Sequence, residues 1–339
     1  MRFLFCAGLH YYDLQGAYDP LYHFFHDTLV EMGHEVDCVD TAEHGRRSEG
    51  RDAFNERVLG LVRARGYAAV IVATFADEFH PATLDEMRRH TVVVAWNSDD
   101  DRRWDDYSSR YAPHFSLVYT TYPPVYEEHR AAFPNLRLSQ WACLPRFRGL
   151  DHDKDIAFSF CGQAYGERLL QLYRLRRSAG LRFYGKGTRV VTGLYWPDRV
   201  TRAAARRLER WTGLRILGDA FLSYEQMHDV WCRSRLVLNL QRASVGGRLQ
   251  IKSRTFETGL SGAAMLSEHA PLLERYYEPG VEFIPFTGVE DCVDKARFYL
   301  SHEPERRRIA EAYARRTEAE HLWTHRLAQV LRDAGLGGA

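Results

Sequence analysis

Residues 251–286, IKSRTFETGLSGAAMLSEHAPLLERYYEPGVEFIPF, decide how this chain is to be read. Two cations, Lys252 and Arg254, and an acid, Glu257, open a helical pattern expected over 251–260. Gly262 breaks it, a short strand is expected at 263–266, and a second acid, Glu268, comes after that strand. Fixed cations and exposed helix N–H groups favour a diphosphate, and a carboxylate accepts both hydroxyls of a ribose diol. The grouping therefore suits a sugar nucleotide. An ordinary helix with an i,i+3 Arg254–Glu257 surface pair has the same composition, so the window alone leaves both readings open.

The order Lys-x-Arg-x-Phe-Glu (252–257), Gly-Ala-Ala-Met-Leu-Ser-Glu (262–268) and Glu-Pro-Gly-Val-Glu-Phe (278–283) resembles the C-terminal domain of group-one glycosyltransferases. The branch it is most similar to is the CgeB-like one, of spore-maturation-type proteins. The likeness continues through 289–300, the acid-and-arginine stretch 303–308 and His321-Leu-Trp323-Thr-His-Arg326, and so covers 235–331. A weaker echo at 158–168 looks like the first strand and turn of the same domain. The resemblance implies the α/β GT-B architecture, two Rossmann-like doubly wound domains facing across a cleft, with the last helix crossing back to the N-terminal domain. It implies that Glu257 holds the nucleotide ribose and that Lys252 and Arg254 meet the diphosphate. The paired-glutamate pattern of the wider group places another acid eight positions earlier, where this chain has Leu249. The contact to the donor sugar must therefore differ.

Composition agrees with a globular enzyme. The 339 residues suffice for two full cores. Forty-six Lys+Arg against 45 Asp+Glu leave a net charge of +1, so no global field draws the chain to nucleic acid or a membrane surface. Six scattered cysteines without a C-x-x-C pair point to reduced thiols rather than a zinc site or disulfide framework. With no run of transmembrane length or signal-peptide form, a cytoplasmic protein is expected. Nearly every cation is arginine, and two of the four lysines, Lys186 and Lys252, fall inside motif-like segments.

Apolar runs alternate with helical patterns, as in a parallel α/β sheet. Strands are expected at 2–6, 35–39, 68–73, 91–95, 117–120 and 138–141, then at 156–161, 181–184, 236–240, 263–266 and 282–285. Helices are expected between them, among them 105–111 and 224–232, ending with one at 303–332. The polar, aperiodic 145–155 reads as a linker. The expected division is 1–147 on the acceptor side, 153–317 on the donor side, and 318–339 as the returning helix.

Ligands of open α/β sheets bind beyond the carboxyl ends of the strands. Gly8, His10 and Asp13 follow the first strand; in related glycosyltransferases this loop lines the acceptor side. Trp96, Asp99, Asp100 and Asp101 follow the fourth. The resemblance favours Asp99 or Asp100 as a carboxylate orienting or deprotonating the acceptor, with Trp96 beside it. The alternative is an Asp-x-Asp metal site built from Asp99 and Asp101. In the second half, Gly162, Gln163, Tyr165 and Arg168 follow one strand, and Gly185 and Lys186 the next. Asn239, Arg242 and Arg248 lead into the segment of Lys252, Arg254 and Glu257. His23 and His26, at i,i+3 among aromatics, read as packing and surface residues.

These readings lead to metal-independent transfer of a hexose-type sugar from a nucleoside diphosphate donor to an acceptor hydroxyl. No cofactor is expected beyond the nucleotide-sugar co-substrate, and the acceptor is unknown. The alternatives are a non-catalytic nucleotide-binding protein and a sugar-nucleotide epimerase on the same fold. Leu249, in place of an acid, keeps the first alternative open.

Overall fold

The computed structural model describes residues 1–10, 16–42, 46–73, 75–149, 151–164, 167–185, 207, 211, 222–242 and 249–337. Its chain forms two units, Met1–Pro145 with Ala319–Ala339, and Arg146–Glu318.

In the first unit, β1 (Arg2–Ala7), β2 (Glu35–Asp40), β3 (Ala69–Ala73), β4 (Val92–Asn97), β5 (Leu117–Thr120) and β6 (Leu136–Leu138) pair in parallel in the order β2-β1-β3-β4-β5-β6. A parallel sheet covered on both faces needs strands that are apolar throughout, which is why β3, AVIVA, is buried at every position. The chain order reverses between β1 and β3, so the crevice at the carboxyl ends of those strands is where a ligand is expected. β6 lies earlier than the expected 138–141. Leu138 ends the pairing, and Ser139 to Trp141 instead lie along the last helix, where Arg326 Nε donates to the Gln140 carbonyl at 3.0 Å.

The helix after β1, α1, runs from Pro20–Tyr22 through a π-turn at His23–Asp27 into Thr28–Glu31. Asp19 caps it, accepting from the Leu21 N–H at 2.9 Å. Next come α2 (Arg46–Glu49), α3 (Arg51–Arg65) and α4 (Pro81–Arg88). The helix after β4, α5, contains Asp100–Arg103, a second π-turn at Trp104–Ser108, and Ser109–Tyr111. It begins five residues before the expected 105. α6 (Pro123–His129) precedes β6.

In the second unit, β7 (Ile156–Cys161), β8 (Arg182–Tyr184), β9 (Ser234–Asn239), β10 (Ala264–Glu268) and β11 (Ile284–Phe286) pair in parallel in the order β11-β10-β9-β7-β8. The connectivity repeats that of the first unit, with its reversal between β7 and β9. The helices here are α7 (Glu167–Ala179), α8 (Tyr224–Cys232), α9 (Arg254–Glu257), α10 (Val289–Ser301) and α11 (Glu303–Glu320). A capping box between Ser223 and Gln226 starts α8. Lys154 ties three segments together. Its Nζ donates to the carbonyls of Gly149, Cys232 and Ser261 at 2.7, 2.6 and 2.7 Å.

The single helix expected at 303–332 is two helices, α11 and α12 (Trp323–Asp333). Leu322 between them is extended and pairs with Cys143: Cys143 N–H donates to the His321 carbonyl at 2.8 Å, and Trp323 N–H to the Cys143 carbonyl at 3.0 Å. α12 belongs to the first unit, where Trp323 stacks on Phe24 at 4.6 Å and meets Phe25 and Trp96 at 5.3 and 5.4 Å. No helix among the described residues is long and apolar enough to cross a membrane.

Candidate functional site

At the carboxyl ends of β7 and β9, backbone and side chains of the second unit converge. Gly162 N–H donates to the Tyr184 carbonyl at 2.9 Å, which brings the ends of β7 and β8 so close that a Cβ on Gly185 would fall 2.0 Å from the Gly162 carbonyl oxygen. Gly185, at φ +127°, is required there. A Cβ on Gly162 would in turn fall 2.9 Å from Arg254 Nη2, so the guanidinium lies against this bare backbone. Its carbon also sits 5.0 Å over the Phe160 ring, and its Nε is buried with no hydrogen-bond partner among the described residues.

The helix expected over 251–260 is a single turn, α9. Beyond it, Thr258 closes the turn and Gly259 lets Thr317 of α11 approach; a Cβ on Gly259 would lie 2.1 Å from Thr317 Oγ1. One turn has little aligned dipole, so the helix terminus expected to assist a diphosphate is not available. The cations of this segment are Arg254 and Lys252. Lys252 is half-buried, and its Nζ donates to Gln250 Oε1.

Gln241, fully buried, organises the turn. Its Nε2 donates to Thr255 Oγ1 and Ser267 Oγ at 3.2 and 3.1 Å, and its Oε1 accepts from Lys252 N–H at 3.3 Å. Asn239, expected to meet the donor, is also fully buried and donates to Thr255 Oγ1 at 2.8 Å. It positions α9 from beneath. Glu257 is 5% exposed. Burial pushes its carboxyl up to about 7, opposed by Arg254 and by hydrogen bonds from the Ser253 and Tyr224 side chains.

Two expected donor cations act as braces. Arg168 donates from Nη2 to the Arg242 carbonyl at 2.8 Å and from Nη1 to the Gln163 carbonyl at 3.4 Å. Arg242 Nε pairs with Glu268 Oε1 at 2.9 Å, while Glu268 Oε2 accepts from the Gln241 and Arg242 N–H groups at 3.1 and 3.3 Å. Gln163 itself is exposed. Tyr165, Lys186 and Arg248 lie outside the described residues.

In the first unit the expected acceptor-side residues separate. Trp96 lies within β4, 2% exposed, its ring 5.3 Å from Phe25 and 5.8 Å from Tyr119; it is core. Asp100 is 2% exposed and accepts from Ser108 Oγ at 2.5 Å. Burial raises its pKa, while the Ser108 and Thr120 hydroxyls lower it, so it fastens the π-turn of α5 to β5 rather than facing an acceptor. Asp99 pairs with Arg102 at 2.9 Å, and Asp101 is 5% exposed. His10 is exposed and lies 4.0 Å from Asp40 Oδ2. Gly8 has ordinary room, since a Cβ there would sit 3.6 Å from Ala42 Cβ. Asp13 lies outside the described residues.

The sequence reading passed over one cluster. Asp27 receives His23 Nδ1 at 2.7 Å on one oxygen and His26 Nδ1 at 2.9 Å on the other. The signal was present: the order His-x-x-His-Asp puts an acid at i+4 from the first histidine.

A family model described as glycosyl transferase-like matches residues 167–332. No curated protein sequence matches the chain significantly. Among solved structures, a glycosyltransferase from Rickettsia africae ESF-5 is similar with a TM-score of 0.61 at 8% identity, over 98% of this chain and 97% of that one. The sucrose-phosphate synthase of Thermosynechococcus elongatus is similar with a TM-score of 0.60 at 11% identity, over 100% of both chains. Anabaena HepE, in complex with UDP and glucose, is similar with a TM-score of 0.58 at 11% identity, over 98% of this chain and 99% of that one. Identities this low carry the fold alone. The chain has the two-domain, Rossmann-like GT-B fold.

Proposed function

We propose that this protein is a glycosyltransferase of the CgeB-like branch, moving a hexose-type sugar from a nucleoside diphosphate donor to an acceptor hydroxyl without a metal. The observation that carries the reading is the Arg254 guanidinium laid against the bare Gly162 backbone beside Gly185. That arrangement holds a guanidinium whose buried Nε has no partner among the described residues, a fixed donor for a phosphate oxygen. Glu257, one turn on, supplies the carboxylate for a ribose diol. The glycosyl transferase-like match over 167–332 spans these last two side chains, and HepE, a fold neighbour, holds UDP and glucose.

Arg254 and Lys252 stabilise the leaving diphosphate, taking the place of a divalent ion. A charge-assisted hydrogen bond of this kind contributes about 1.5–3 kcal/mol. Arg254→Ala therefore lowers turnover by roughly 10- to 100-fold. The test is calorimetry and turnover with UDP-, GDP-, dTDP- and ADP-sugars, with and without EDTA. One of these donors binds the wild type, and Arg254→Ala loses turnover, in EDTA as without it. Donor binding that survives Glu257→Gln and Arg254→Ala together removes the site from this place. Abolition of turnover by EDTA removes the metal-free mechanism.

A further inference from the structure

We propose that Tyr313 of α11 is a positioning residue for Arg254 and Glu257, acting through the backbone of α9; the role rests on the nucleotide-sugar reading above. In a helix of four residues every carbonyl belongs to the last turn, where regular intrahelical donors run out. In α9 the shortfall falls on Thr255. Its regular donor would be the Gly259 N–H, but that group turns to the Phe256 carbonyl at 2.9 Å and closes the turn early. The Tyr313 hydroxyl donates to the Thr255 carbonyl instead. The Arg254 carbonyl faces the Thr258 N–H at 3.3 Å and Thr258 Oγ1 at 2.9 Å. Thr258 Oγ1 in turn lies 3.0 Å from the Tyr313 hydroxyl, so one phenol oxygen stands at the backbone of both residues.

Thr255 is thereby gripped twice. Its side-chain oxygen accepts from Asn239 Nδ2 and Gln241 Nε2 at 2.8 and 3.2 Å, and its carbonyl accepts from Tyr313. The residue stands directly after Arg254 and two before Glu257. Turning its backbone would swing both side chains, so the two grips determine where the guanidinium and the carboxylate point. Thr255, Thr258 and Tyr313 are fully buried, away from solvent that could replace a lost donor.

Tyr313 is itself held. The Tyr277 ring meets it edge-on, with centroids 4.9 Å apart and planes at 73°. Thr317, one turn along α11, donates to the Tyr313 carbonyl at 2.8 Å and lies 2.9 Å from the Tyr277 hydroxyl. Near the start of α11 the Arg306 guanidinium, 3% exposed, donates to the Arg235 carbonyl of β9 at 3.0 Å. The helix that carries Tyr313 is thus fastened to the strand that carries Asn239, and the two grips on Thr255 keep a fixed spacing.

The consequence is for binding. A cation and an acid set in place before the ligand arrives need no ordering when it binds, so part of the affinity resides in a hydroxyl that touches no ligand. Phenylalanine at 313 keeps the ring against Tyr277 and takes away only that hydroxyl. The Thr255 carbonyl then lacks its donor, and the backbone shifts to find another.

The test uses the full chain and calorimetry with UDP, GDP, dTDP and ADP. Folded Tyr313→Phe is expected to bind the nucleotide that the wild type prefers roughly 5- to 20-fold more weakly. In an Arg254→Ala background the same substitution weakens binding at most about twofold, because one of the two positioned groups is gone. A merely structural tyrosine would lower Tm without that coupling. If Tyr313→Phe does not fold, Thr258→Val reads the same contact from its other side, with an expected loss of about threefold or more. Affinity close to wild type in the folded variant, or an equal loss with and without Arg254, overturns this role and leaves the nucleotide site standing. A wild type that binds none of the four nucleotides overturns the nucleotide-sugar reading and this role with it.

Discussion

Glu257→Gln tests both the stability of the second unit and its chemistry, with opposite signs. The carboxyl is 5% exposed, and burial pushes it from its ordinary 4.5 to about 7. The folded state therefore binds this proton more tightly than the unfolded chain does. Its contribution is intact below the unfolded value, is lost as pH rises between 4.5 and 7, and is gone above that range. A displacement of this size is worth roughly 3 kcal/mol. Glutamine keeps the volume and an acceptor oxygen for Ser253 and Tyr224 without a charge to desolvate. Urea unfolding at pH 8 should thus find the variant more stable than wild type by roughly 3 kcal/mol, with the gap closing by pH 5. Binding runs the other way. Only the ionised carboxylate accepts both hydroxyls of a ribose diol, so wild-type UDP affinity should rise with pH through 7, while the variant binds weakly at every pH. Equal pH slopes of stability in the two proteins, or equal UDP affinities, refute the reasoning.

Glu268→Gln removes the charged acceptor of Arg242 and of two backbone N–H groups. We expect donor KM to rise about fivefold with little change in kcat, and Arg242→Ala to add little on top, since much of the pair is exposed. Lys154→Met leaves the carbonyls of Gly149, Cys232 and Ser261 without their shared donor, and should lower stability in urea by about 1–3 kcal/mol. Gly259→Ala drives a methyl group into Thr317 and should cost about 1–3 kcal/mol, read as a lowered Tm.

The strands were legible because a buried parallel sheet demands nearly continuous apolar runs. β1, β3 and β7 stand within a residue of their expected bounds, and α8, with its Ser223 cap, matches the expected helix at 224–232. Where the reading failed, tertiary partners had overridden local pattern. The periodicity of 251–260 continues past Glu257, yet Gly259 packed on Thr317 holds the helix to one turn. The periodicity of 303–332 also runs on, yet Leu322 extends to pair with Cys143, far away in sequence.

The candidate sites divide in the same way. Residue type and order alone brought Lys252, Arg254 and Glu257 together on one short segment, because local spacing sets which side chains share a turn. Which polar side chains remain available to a ligand was decided only by packing. Asp100 and Asn239 are buried in hydrogen bonds, Arg168 and Arg242 brace loops, and Trp96 is core. The π-turn that joins His26 to Asp27 is a matter of backbone winding that periodicity does not reveal. Sequence specifies which groups are near each other along the chain; burial and partners, set by long-range contacts, determine what each group can do.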